Sequence, residues 1–190
     1  MIDVTDTRIP GLLIIKPGIY EDARGYFYES YNERLYRKHG IDFRFVQDNE
    51  SRSAGNVIRG LHYQLNPHAQ TKLLRVLDGA IFDLVVDLRK NSPAFGTWSR
   101  IEVTSENKLQ VIIPKGCAHG FRVISSSATI LYKCDEFYNP EFERGILYSD
   151  PRLKIDWGID PHEALVSEKD KKAPLFADAE MNFAQEDGNE

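Results

Sequence analysis

A few side chains in this sequence have the types and spacing that proton transfer and anion binding require. Arg59-Gly60-Leu61-His62-Tyr63-Gln64 is the densest segment. In an extended strand Gly60, His62 and Gln64 share one face and Leu61 and Tyr63 the other, so a ligand has room beside the imidazole. A satisfied core or surface histidine would read the same way. Lys72, in Thr71-Lys72-Leu73-Leu74-Arg75-Val76, either shares a cavity with His62 or guards an exposed sheet edge. Tyr132 lies in Leu131-Tyr132-Lys133-Cys134 and Tyr138 just beyond, in Phe137-Tyr138-Asn139-Pro140. Each either fills core or offers a hydroxyl or a flat ring to a ligand. Arg24 and Arg59 are the arginines best placed to grip phosphate in a bidentate fork, against a default reading as surface ion pairs. Ser167-Glu168-Lys169-Asp170 brings an acid that either approaches the site or belongs to a helix end.

The elements that must position these groups read as short strands. Candidates are 11–16, 25–31, 43–51, 56–64, 71–77, 80–89, 97–104, 108–114, 118–124 and 128–137, separated by turn signals such as Asp78-Gly79 and Lys115-Gly116. Turns at this spacing predict an all-β sandwich or barrel. In 80–89, Phe82, Leu84, Val86 and Leu88 alternate with Asp83 and Asp87. Asn32 to Gly40 reads as a helix with Asn32 as cap and Gly40 as stop, and a second helical turn is expected near 161–172.

The bulk numbers set the class. With 190 residues the chain can form one domain, expected to span 1–190, with an acidic tail from about 176 loosely ordered. Hydrophobic residues make up 42% and aromatic residues 11%, as in a globular protein. The net charge is −5 and no basic run exists, which argues against nucleic acid as a partner. No stretch approaches the roughly 20 apolar residues that span a bilayer, and Met1-Ile2-Asp3-Val4 does not open a signal peptide. Cys117 and Cys134 read as reduced residues of a cytoplasmic protein.

Pro114-Lys115-Gly116-Cys117-Ala118-His119 resembles the second half of the cupin signature, whose histidine points into a small barrel. Metal cupins carry two histidines and a glutamate in the first half, where this chain reads His62-Tyr63-Gln64. Only His62 and His119 remain as ligands, short of the three or four that a transition metal needs.

Taken together, these segments resemble the dTDP-4-dehydrorhamnose 3,5-epimerase family from about Gly11 to Pro174. The stretches that carry the likeness are Asp22 to Ser30, Phe45 to Asn49, Val57 to Gln64, Phe82 to Arg89, Pro114 to Phe121, Tyr132 to Pro140 and Ser167 to Asp170, in order. The resemblance implies a cupin-type jelly roll with a few short helices. It implies a homodimer that takes a dTDP-linked 4-keto-6-deoxy sugar, with neither metal nor organic cofactor, in rhamnose and polysaccharide biosynthesis. It assigns His62 as base, Tyr132 as the acid on the opposite face of the sugar, Asp170 as the group that orients the histidine and Lys72 as the cation near the ketone. Arg24, Glu29, Gln47, Asn49, Arg59, His119, Glu143 and Lys169 match substrate contacts, and Tyr138 matches the residue stacked on thymine. Lys169 stands where some members carry Arg. The strand carrying Arg24 is implied to reach the partner subunit's site.

The implied chemistry explains the residue types. A C–H bond beside a ketone loses its proton only if the enolate is stabilised, and the C4 ketone activates both C3 and C5. Inversion needs a base on one face and a protonated group on the other. Histidine, titrating near ~6.5, and tyrosine, near ~10, meet those needs at neutral pH. Other readings are an epimerase acting at one carbon or on another nucleotide-linked sugar, a metal-dependent cupin, and a non-catalytic nucleotide-sugar binder.

Overall fold

The structure, a computed structural model, describes residues 1–183. It is built from β1 (Ile2–Asp6), β2 (Leu13–Pro17), β3 (Tyr20–Asp22), β4 (Gly25–Phe27), α1 (Glu33–Arg37), β5 (Gln47–Ala54), β6 (Val57–Gln64), β7 (Lys72–Asp78), β8 (Ala80–Asp87), β9 (Trp98–Thr104), β10 (Gln110–Ile113), β11 (Cys117–Val123), β12 (Ser127–Cys134), β13 (Glu143–Gly145), a 3₁₀ turn (Pro161–Glu163), β14 (Leu165–Val166) and α2 (Glu168–Lys171). Two antiparallel sheets face each other as a cupin-type jelly roll. One runs β1-β2-β10-β7-β12-β5, and the other β13-β6-β11-β8-β9 with β14 added parallel to β6. Strands β3 and β4 form a separate hairpin.

Between the sheets lies an apolar core of Leu74, Val76, Ile81, Val85, Val103, Val111, Ile113, Phe121, Val123, Ala128 and Ile130. Both outer faces are covered as well. Tyr36 of α1 and Ile41 bury Ile15, Leu73 and Ile112 on the first sheet. Residues 146–183, through Ile146, Tyr148, Leu153, Trp157, Phe176 and Phe183, bury Leu61, Tyr63, Leu84, Val86 and Leu88 on the second.

This outer layer fixes the facing of β8 and corrects the expected extent of the loose tail. The apolar face of β8 points outward under the C-terminal segment, and Asp83 of the other face points into the barrel, fully buried. The chain also stays packed beyond residue 176, since Phe176 and Phe183 are each 4% exposed. Only 184–190 of the expected loose tail falls outside the described residues. The helix starts as expected, with Asn32 Oδ1 accepting from Leu35 N at 3.1 Å. It closes two residues early, before Gly40 at φ +78°.

Candidate active site

The inner face of each sheet changes from apolar to polar toward one end of the barrel. On β7 the inward series Val76, Leu74 ends in Lys72, and on β12 the series Ala128, Ile130 ends in Tyr132. Asn49 of β5 is the register partner of Tyr132, and Gln47 that of Cys134. The opposite sheet contributes His62 and Gln64 from β6 and Glu143 from β13. These side chains line a cavity of about 130 Å³ together with Tyr63, Gln70 and Tyr138.

His62 faces the cavity because β6 breaks its own alternation. Val57 packs into the inter-sheet core and Ile58 into the outer one. Strict alternation from there would turn Leu61 inward and His62 outward. Instead, the step from Arg59 to His62 opposes only the step from Phe121 to His119 on β11. One extra residue on β6 reverses the faces. Gly60 makes this possible. Its φ is +113°, and a Cβ there would lie 2.6 Å from Gly120 Cα and 2.7 Å from His119 O.

Asp170 approaches His62 from α2. Its Oδ1 lies 2.7 Å from His62 Nε2, and its Oδ2 accepts from Gly60 N at 3.2 Å. Ser167 caps the helix by accepting from Asp170 N at 3.1 Å, which frees the carboxylate to face the imidazole. Burial works to raise the Asp170 carboxyl. The bonds and charge of His62, Gly60 and Ser167 outweigh it and hold the pKa below the usual carboxylate value. With Nε2 held by a carboxylate, Nδ1 is the basic nitrogen available to the cavity.

On the facing sheet, the Lys72 ammonium stands 5.8 Å from the centroid of the Tyr132 ring. Burial pushes the lysine pKa down and the tyrosine pKa up. The Tyr132 hydroxyl is therefore held in its protonated form at neutral pH. Arg59, tied to Ser53 Oγ at 2.9 Å, opposes that rise through its charge.

At the cavity mouth, Glu143 Oε2 accepts from Tyr138 Oη at 2.8 Å and from Lys169 Nζ at 2.6 Å. Burial works to raise the Glu143 carboxyl, but the partners win and its pKa is lowered. Gln47 donates to Asn49 Oδ1 at 2.9 Å and accepts from Tyr138 N at 3.0 Å.

The structure thus gathers His62, Lys72, Tyr132, Gln47, Asn49, Tyr138 and Glu143 around one cavity, with Asp170 behind His62, Lys169 on Glu143 and Arg59 beside Tyr132. His119 is placed differently. It is the register partner of His62, but its Nε2 is bound to Asp83 Oδ1 at 2.6 Å in the barrel interior rather than lining the cavity. Asp83 Oδ2 has no hydrogen-bond partner among the described residues. Arg24 and Glu29 do not reach the cavity of their own chain. Arg24 pairs with Asp22 at 2.6 Å on the exposed β3–β4 hairpin, and Glu29 accepts from Asn32 at 3.0 Å. Gln64, which lines the cavity, and Asp83, which holds His119, were not among the sequence candidates. The alternation of β8 marked Asp83 as facing away from the apolar residues, the one signal that pointed inward.

Among the described residues no group of three His, Cys, Asp or Glu side chains could hold a metal ion. Gln64, which stands where a metal cupin would have a histidine, has its amide engaged with backbone groups.

The dTDP-4-dehydrorhamnose 3,5-epimerase family model matches residues 6–178. A dTDP-4-dehydrorhamnose 3,5-epimerase of Pseudomonas aeruginosa is 49% identical over 93% of this chain and 97% of its own. The crystal structure of a 3,5-epimerase from Legionella pneumophila in complex with dTDP-4-keto-L-rhamnose is 48% identical, with a TM-score of 0.87, covering 92% of this chain and 93% of that one. A 3'-monoepimerase from Streptomyces bikiniensis in complex with dTDP-quinovose is more distant, at 34% identity and a TM-score of 0.84 over 90% and 86% of the two chains. On sequence and fold together, this chain belongs to the dTDP-4-dehydrorhamnose 3,5-epimerase family.

Proposed function

We propose that this chain inverts C3 and C5 of dTDP-4-dehydro-6-deoxy-D-glucose, giving dTDP-4-dehydro-L-rhamnose. The observation that carries this reading is the opposition of two pairs across one cavity. The His62–Asp170 pair, 2.7 Å apart, sits on the second sheet, and Tyr132 with Lys72 on the first.

His62 takes a proton from the carbon next to the ketone, and its electron pair moves into an enolate at O4. Lys72 stabilises that oxygen by charge from its buried position on β7. Asp170 accepts the Nε2–H bond, fixes the tautomer and supports the imidazolium that forms. Tyr132 returns a proton from the opposite face, which inverts the centre. Once the imidazolium has lost its proton to solvent and the Tyr132 phenolate has taken one up, a shift of the ring brings the second carbon to the same base.

Tyr138 carries the base, and Gln47, Asn49, Arg59, Glu143 and Lys169 hold the sugar and diphosphate. Arg24 and Glu29 serve the site of a second copy. The hairpin bearing Arg24 exposes Tyr20, Tyr26 and Phe27 by 57–67%, an apolar arm that suits burial in a homodimer. His119 acts through its place beside His62 on β11. The reaction needs neither metal nor organic cofactor and takes place in the cytoplasm, with no nucleic-acid or membrane partner. No helix among the described residues is long and apolar enough to cross a membrane.

The test is to incubate the protein with dTDP-4-dehydro-6-deoxyglucose in D₂O and locate the deuterium by NMR. Label at both C3 and C5 is expected. Label at one carbon would instead support the monoepimerase reading, which the likeness to the 3'-monoepimerase keeps in view. CDP- or GDP-linked 4-keto sugars in parallel test the nucleotide.

A further inference from the structure

Gln64 lines the cavity two residues from His62, yet it has no part in the proton transfer described above. It is 5% exposed, and its side-chain amide is fully engaged with backbone. Nε2 donates to His68 O at 2.7 Å and to Phe137 O at 3.2 Å, and Oε1 accepts from Asn139 N at 2.7 Å. Two of these three bonds bracket Tyr138. The third ties in the loop after β6.

Tyr138 has little else to fix it. It is 52% exposed and its neighbour Phe137 62%, so apolar burial does not hold this segment. The other restraints are the bond from Tyr138 N to Gln47 Oε1 at 3.0 Å and that from its hydroxyl to Glu143 at 2.8 Å. Gln47 belongs to β5 on the first sheet, and Gln64 to β6 on the second. The segment therefore bridges the sheets at the cavity mouth, and Gln64 is what ties it to the strand that carries His62.

We propose that Gln64 is a positioning residue for nucleotide binding, clamping the backbone on both sides of Tyr138 so that the ring stands at a fixed distance from His62. Histidine, the residue of metal cupins at this place, cannot supply two donors and an acceptor in the same geometry. A glutamine is the chemical choice for gripping one N–H and two carbonyls. The proposal rests on the reading of Tyr138 as the platform for the base.

The test combines dTDP binding by calorimetry, steady-state kinetics and NMR hydrogen exchange at the Asn139 amide, in Gln64→Met, Gln64→Glu, Tyr138→Ala and the Gln64→Met/Tyr138→Ala double variant. Loss of an aromatic platform costs about tenfold in affinity. Tyr138→Ala and Gln64→Met should each weaken dTDP by about that factor, and the double variant by little more than either. In Gln64→Met the Asn139 amide should lose protection and the loss should fall on KM rather than kcat. Gln64→Glu keeps the acceptor for Asn139 and loses both donors, so it should keep that protection and bind dTDP with intermediate affinity.

Wild-type affinity with retained Asn139 protection in Gln64→Met overturns the clamp. So does an additive loss in the double variant, which would make Gln64 a direct substrate contact. Unchanged dTDP binding in Tyr138→Ala overturns the platform reading and this proposal with it. The Asn139 amide, which reports the clamp alone, tells the two failures apart.

Discussion

At the scale of single residues, the division of labour across the cavity makes separable predictions. His62→Ala should abolish deuterium entry into the substrate, because Glu143 and His119 on the same sheet are already engaged, by Tyr138 and Lys169 and by Asp83. General base catalysis typically supplies about 10²–10⁴-fold, so the loss in kcat should be at least of that order. Undiminished exchange would remove His62 from the mechanism. Tyr132→Phe separates the two faces. Exchange at one carbon should survive while inversion fails, and full epimerisation in this variant would remove the tyrosine. Lys72 adds a pH signature. Burial lowers its pKa below the usual lysine value of 10.5, so the charge it brings to the site is lost as pH rises through that lowered value. The alkaline fall in kcat should therefore come below pH 10.5. Lys72→Arg, charged to above about pH 12, should move the fall upward, toward the tyrosine limit that burial has raised past 10. An unmoved alkaline limb would mean that the lysine charge is not used.

At the scale of elements, the bulge in β6 decides which face His62 occupies. Gly60→Ala would force a Cβ to within 2.6 Å of Gly120 Cα at φ +113°. Overpacking and positive-φ strain each cost about 1–3 kcal/mol, so a combined loss of about 2–6 kcal/mol is expected in chemical denaturation. Because Gly60 N also donates to Asp170, kcat should fall in the molecules that remain folded. A stability change under 0.5 kcal/mol, within the range of ordinary surface changes, would show that the strand can repack without the glycine. The same bulge shows what the sequence made legible and what it did not. Turn signals marked off ten strands, and alternation put His62 and Gln64 together, because it survives within the three residues after the bulge. It could not say that these residues face inward, since that depends on a residue inserted against β11, a long-range fact. The short β1, β3, β13 and β14 were missed for a related reason. Strands of two to five residues carry no period of their own and exist by pairing with a neighbour. The aspartates of β8 left the same question open. Alternation there was real, but a sheet covered on its outer face buries both sides of the strand, so Asp83 and Asp87 are buried as fully as the apolar residues they alternate with.

At the scale of the whole molecule, the positions still unexplained by one chain are Arg24 and Glu29. Composition could not place them, and in the described structure they stand on or beside a hairpin that does not reach its own cavity. If Arg24 completes the site of a second copy, a mixture of two defective proteins should regain function. Take His62→Ala, which keeps Arg24, and Arg24→Ala, which keeps His62. In a heterodimer with exchanged arms, one site carries both lesions and the other carries neither. Random reassortment of equal amounts makes half the dimers mixed, so about a quarter of all sites should be intact. The mixture, after mild dissociation and reassembly, should therefore recover about a quarter of wild-type activity, well above the mean of the two parents. If Arg24 acts within its own chain, no site in the mixture is intact and activity stays at that mean. Sedimentation equilibrium on the same samples checks the premise. A dimer is expected, and the exposed Tyr20, Tyr26 and Phe27 are the surface it should bury. A monomer at assay concentration would remove both the exchanged arm and Arg24 from the site.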